Sequence, residues 1–197
     1  MTPRLLCHPQ GFDLPADLPT RVLGLLEEMD LLGTAFPVDG EVRYLTGPGF
    51  LDHVGFLGCA PDIPLEAPSR PEARARDARL GRFCHWRLTP LYPAPRLRMD
   101  PLAAPRCPAC TRAVARPRLR PDGQVHCPAC GMVSPAPDWR WKQLGACARF
   151  FLELLGIHTG EAVPGEALLA GLEGITGCRW GFAYVREAEP LPCDPCG

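Results

Sequence analysis

The sequence has a single lysine, Lys142, against 20 arginines. It has no apolar run approaching the ~18 residues of a membrane-spanning helix. Its first residues, MTPRLLCHPQGFDLP, carry one arginine and a short apolar patch broken by His8 and Pro9, which is not the pattern of a secretory signal. These absences predict a cytoplasmic protein with no membrane partner. A glycine-rich phosphate loop, a nucleophile beside its base and a close pair of carboxylates are missing too, which argues against the commoner kinds of enzyme site. The regular strand-helix alternation of a doubly wound sheet is also lacking, which excludes that architecture.

What the sequence does have is cysteine, proline and a displaced charge. Its 197 residues suffice to bury a hydrophobic core without covalent staples. Eleven cysteines, an odd number, cannot all pair within one chain. In a reducing compartment, paired cysteines point to metal or redox chemistry before structural disulfides. The net charge of −1 hides a division along the chain. Residues 70 to 120 hold 13 arginines against Glu72, Asp77 and Asp100, a balance of +10, whereas the remainder holds 8 basic and 19 acidic residues, or −11. A coding bias toward GC-rich codons accounts for arginine in place of lysine, but not for its concentration in one part of the chain.

Apolar spacing predicts the elements. Leu18, Val22, Leu25, Leu26, Met29 and Leu32 form the stripe of a helix over residues 17 to 32, capped by Asp17 and stopped by Gly33. Residues 41 to 46 alternate like a strand, and the apolar run 50 to 59 after the GPG turn fits either state. A proline-rich loop leading into at most a short helix precedes a strand over 83 to 88, and six prolines between Pro90 and Pro108 mark a boundary. Beyond Pro137, the spacing of Trp141, Leu144, Ala148, Phe151, Leu152 and Leu155 predicts a core helix over 138 to 155 with Gly156 as its stop. A shorter helix carries Leu168 and Leu172, and residues 179 to 185 form a strand with Trp180, Phe182 and Tyr184 on one face. The expectation is a small α+β body, residues 1–89 and 134–185, interrupted by an insertion at 104–133 and followed by a loose tail at 186–197.

The insertion contains CPACTRAVARPRLRPDGQVHCPAC. Cys107, Cys110, Cys127 and Cys130 have the spacing of a tetrahedral four-cysteine site: each CxxC is a tight knuckle, and the 16 residues between can fold into a hairpin that brings the knuckles together. The segment resembles the zinc-ribbon family, whose knuckles favour Cys-Pro-x-Cys-Gly. The second copy, Cys127 to Gly131, matches fully, while the first places Thr111 where the family has glycine, a harder residue for the turn. The spacing implies one structural Zn2+, because four thiolates leave no open position; iron is the rival ion for such a donor set.

A closed ion can still hold a surface in shape. Arg112, Arg116, Arg118 and Arg120 lie on or beside the hairpin, and a row of guanidinium groups suits an anionic partner, either nucleic acid or an acidic protein. The plainer alternative is a solvated face, or one that answers the acidic body of the same chain. Two further functions are conceivable. Cys193 and Cys196 form a third CxxC suited to thiol redox, metal transfer or a second metal site with Cys7, His8, Cys84 or His85. An enzymatic site would use His158 and Glu161, with Glu166 nearby, against the simpler reading of a helix-connecting loop.

Overall fold

The structure is a computed structural model that describes residues 2–57, 64–115, 117–120 and 123–187. The chain has a mixed α+β fold, as its sequence predicts. Its elements in order are β1 (Thr2–Pro9), α1 (Leu18–Glu28), β2 (Leu32–Val38), β3 (Glu41–Thr46), α2 (Phe50–His53), β4 (Val54–Phe56), α3 (Pro71–Arg79), β5 (His85–Leu88) and β6 (Arg96–Met99). There follow β7 (Arg118–Leu119), β8 (Gln124–His126), β9 (Val133–Pro135), β10 (Gly145–Ala148), β11 (Leu152–Leu155), β12 (Ala162–Pro164), α4 (Glu166–Thr176) and β13 (Trp180–Glu187). Six strands form one antiparallel sheet in the order β13-β1-β11-β5-β3-β2, while β6 pairs with β10, β4 with β12, and β7, β8 and β9 form a small sheet of their own.

One face of the large sheet is apolar. Leu5 and Cys7 of β1, Leu152 and Leu154 of β11, and Trp86 of β5 meet Leu18, Val22 and Leu26 of α1 and Leu168 and Leu172 of α4, all buried. Each such side chain contributes roughly 1.5–3 kcal/mol by leaving water, so these two helices hold the face closed. Helix α1 ends earlier than its apolar stripe implies, because Asp30 takes a left-handed conformation (φ 53°) and Leu32 opens β2. Asp17 does not cap α1 with its side chain; its Oδ2 instead accepts from Arg21 Nε at 2.9 Å.

The expected helix over 138 to 155 does not form. Lys142 sits in a left-handed conformation (φ 54°), and the chain runs as two strands, β10 and β11. The apolar residues that mimicked a helical stripe serve three separate clusters: Trp141 and Leu144 join the ribbon, Ala148 and Phe151 the second face of the sheet, and Leu152 the helix-covered face. Gly156 ends a strand rather than a helix, at φ 78°, with its α-carbon so close to the Phe83 carbonyl that a β-carbon there would collide with that oxygen.

The second face of the sheet is charged at its centre. Glu153 is fully buried and accepts from Arg4 Nη1 at 3.0 Å and from Arg98 Nη1 at 2.8 Å, with Arg87 Nη1 at 3.5 Å. Arg87 also donates to Glu41 Oε1 at 2.6 Å. Beside them Arg43 Nη1 lies 3.2 Å from His85 Nε2, and His85 Nδ1 lies 3.0 Å from the Phe83 carbonyl. That geometry fixes a neutral imidazole, protonated at Nδ1 and accepting at Nε2. The pair β6 and β10 covers this face: Arg98 comes from β6, and the neighbouring Asp100 takes a two-point contact from Arg186 of β13 at 2.8 and 3.0 Å. Because β6 and β10 flank the ribbon in sequence, these ion pairs fasten the ribbon to the body.

Candidate metal centre

The four cysteines meet. Their Sγ atoms all lie within 4.8 Å of one another, with Cys107 to Cys130 at 3.8 Å and Cys110 to Cys127 at 3.7 Å. A tetrahedral ion with Zn–S bonds of ~2.3 Å places neighbouring sulfurs ~3.8 Å apart, so the residues fit one ion. Among the described residues this is the one group of three or more His, Cys, Asp or Glu side chains arranged to hold a metal.

Two equivalent knuckles build it. In the first, the Thr111 N–H donates to Cys107 O at 2.9 Å and the Cys107 N–H to Arg112 O at 3.0 Å; in the second, Gly131 donates to Cys127 O at 2.9 Å and Cys127 to Met132 O at 2.8 Å. Burial alone would raise the Cys127 thiol, but N–H groups of Ala129 and Cys130 and the neighbouring Cys130 and Cys107 thiols donate to its sulfur and lower it, while the neighbouring thiols raise Cys130. Such donors favour the thiolate that a metal ligand must be.

Both knuckles require a left-handed residue after the second cysteine, at φ 58° for Thr111 and φ 75° for Gly131. A β-branched side chain in that region costs on the order of 1 kcal/mol. We therefore expect Thr111→Gly to stabilise the metal-loaded protein by ~1 kcal/mol, and Gly131→Thr, where a β-carbon meets open space, to destabilise it by a similar amount through conformation alone. Denaturant midpoints of the two variants check this; equal midpoints would remove the strain argument.

The ribbon has its own apolar interior, in which Val114, Val125, Ala136, Trp139 and Trp141 are buried around Cys107 and Cys127. Leu97 and Met99 of β6 and Leu144 and Cys147 from the β10 side pack against it, so its core is continuous with the pair that covers the body. Trp139 Nε1 donates to Ser134 Oγ at 3.0 Å and Trp141 Nε1 to Ala136 O at 2.7 Å, which locks both rings inside.

The structure sorts the arginines of the cationic middle segment. Arg79 pairs with Asp39, Arg76 and Arg82 with Asp77, Arg87 with Glu41 and Glu153, and Arg98 with Glu153. The body's carboxylates thus answer part of the excess. Arg112 and Arg120 are exposed, and among the described residues neither has an ion pair. Arg116 lies outside the described residues, and of Arg118 only its place in β7 is described.

The remaining candidates are spread apart. Cys7 and Cys84 are buried in the apolar face, where burial pushes each thiol up to about 12. His8 and His85 extend from the opposite face of β1 and β5, with β11 between those strands, so these four residues form no metal cluster. Cys193 and Cys196 lie outside the described residues. The Glu161 carboxylate accepts from the backbone N–H of His158 at 2.9 Å and so closes the turn; His158 is exposed, and Glu166 stands in the first turn of α4. No family model, curated protein or solved structure matches the chain.

Proposed function

We propose that the chain is a cytoplasmic zinc-binding adaptor: Cys107, Cys110, Cys127 and Cys130 hold one structural Zn2+, and the ribbon so formed presents arginines to an anionic partner. The observation that supports this reading most is the contrast between two sets of arginines on one segment. Arg76, Arg79, Arg82, Arg87 and Arg98 are matched by carboxylates, whereas Arg112 and Arg120 on the ribbon are exposed without an ion pair among the described residues. Zinc would act here as a clip, because four thiolates fill its coordination and leave no site for water or substrate.

Metal analysis of the purified protein should give one zinc per chain, retained when residues 190 to 197 are deleted. Replacing Arg112, Arg116, Arg118 and Arg120 together by alanine should weaken binding to a polyanion column, with the bound fraction eluting at clearly lower salt, while zinc content stays at one. Unchanged elution would remove the hairpin as the contact surface. Iron in place of zinc would show as visible thiolate charge-transfer absorbance.

A further inference from the structure

Arg106 and Arg140 are 34 positions apart in sequence, and neither belongs to the hairpin between the knuckles. The fold puts them face to face. Arg106 forms antiparallel bridges with Ala113 on one side and Arg140 on the other. The two arginines exchange both backbone hydrogen bonds, Arg106 N to Arg140 O at 3.0 Å and Arg140 N to Arg106 O at 3.2 Å. Residues directly opposite in such a pair project to the same side, with β-carbons ~5 Å apart, and like charges placed so are destabilising. Both are exposed, and among the described residues neither forms an ion pair. Trp139 and Trp141 point inward on either side of Arg140, so burial of the tryptophans forces Arg140 outward. Arg106 Nη1 donates to Thr111 O at 3.1 Å, which steadies its guanidinium beside the first knuckle and leaves its other N–H groups available. Lys142 is exposed two residues beyond Arg140, and Asp138 is the one described acidic residue between positions 104 and 142.

We infer that Arg106 and Arg140 form a docking face for the phosphate backbone of double-stranded nucleic acid, bound without reading its bases. This rests on the reading of the ribbon as a surface for an anionic partner and names that partner. Two observations choose it. A protein interface takes its affinity from buried aromatic or aliphatic anchors, and Met132, 38% exposed, is the one large exposed hydrophobic described between positions 104 and 142. Single-stranded nucleic acid is held by stacking on exposed aromatics, and both ribbon tryptophans are buried and hydrogen-bonded through their indole N–H groups. Paired guanidinium groups with neither feature suit phosphates, where affinity comes from released counterions.

The test uses the full-length, zinc-loaded protein and fluorescence anisotropy with three probes: a labelled duplex of mixed sequence, one of its single strands, and labelled polyglutamate. The expected result is preference for the duplex, little dependence on its sequence, and affinity that falls with salt. The Arg106→Ala/Arg140→Ala variant should lose on the order of 10-fold or more in duplex affinity at low salt, and the slope of log K against log salt should shrink by about 2. Arg106→Lys/Arg140→Lys should keep most of the slope, and one zinc per chain in each variant shows that the ribbon is intact. An unchanged slope in the alanine variant, preference for the single strand, or binding of polyglutamate without the duplex each overturns this inference alone. Binding of none of the three probes overturns the proposed function with it.

Discussion

Cys107→Ser or Cys127→Ser is expected to abolish metal binding and unfold the ribbon. Both sulfurs are buried, at 1% and 0% exposure, within the cluster that holds Val125, Trp139 and Trp141, so each is at once a ligand and part of the interior. Structural zinc is worth ~10–16 kcal/mol of apparent binding free energy near neutral pH in zinc-finger peptides. That is at least as much as the roughly 6–12 kcal/mol from burying Val114, Val125, Trp139 and Trp141, so losing it removes about half of what holds the cluster. The measurement is tryptophan emission and near-ultraviolet circular dichroism together with metal content. The expected result is a red-shifted emission and loss of the aromatic bands as zinc falls from one per chain toward zero, reproduced in the wild type by a chelator. Cys130→Ser should do less, because Cys130 is exposed and its loss leaves the interior filled. Native emission after complete metal removal would mean that the apolar core alone holds the ribbon.

Glu153→Gln is expected to destabilise the body by ~3–5 kcal/mol. Glu153 is fully buried and is contacted by Arg4, Arg87 and Arg98, so removing its charge leaves buried cations without their central counter-ion. The same centre sets the response to acid. Burial opposes the ionised form of Glu153, but Arg98, Arg4 and Arg87 outweigh it and hold its pKa below the ordinary carboxylate value. That contribution is complete above the unfolded carboxylate pKa and is lost as pH falls through the folded one. Burial likewise lowers His85 from 6.5 to about 4, so the unfolded chain takes up a proton below pH 6.5 that the folded chain refuses until about 4. Stability should therefore decline in two stages on acidification, the first between about pH 6.5 and 4 at up to ~1.4 kcal/mol per pH unit, the second below it. Urea midpoints from pH 7 to 3 check both, and Glu153→Gln should shrink the second stage, to which Asp100 beside Arg186 also contributes, while keeping the first. A midpoint independent of pH across that range would contradict the assignment.

The charged centre was not legible in the sequence. Arg4, Arg43, Arg87, Arg98 and Glu153 are scattered over 149 positions; only the register of β1, β11, β5 and β3 aligns four of them on one face, and β6 lays Arg98 over it. The knuckles were legible because their geometry is local: two CxxC turns and a hairpin are dictated by residues within a few positions of each other. The stripes of α1 and α4 were legible for the same reason, as each helix buries one face only. Strand β13 kept its alternation because the large aromatics Trp180, Phe182 and Tyr184 share one face and the smaller Gly181, Ala183 and Val185 the other. Strand β11, buried on both faces, loses the period of two that identifies a strand, and its leucines joined the aromatic residues of the ribbon in a false period of 3.6. The pairing of Arg106 with Arg140 lies across a fold boundary that no local spacing encodes.

The position of β1 governs the order in which the molecule can be assembled. It is flanked by β11 and β13, so on the ribosome its backbone groups wait for residues 152 to 155 before the first neighbour exists and for residues 180 to 187 before the second. The apolar cluster around the four cysteines draws only on the intervening stretch from Leu97 to Cys147, and all of that is made before β11. Vectorial synthesis thus brings both cysteine knuckles out while the first strand is still an unpaired edge, the state in which a nascent sheet is most exposed to wrong partners.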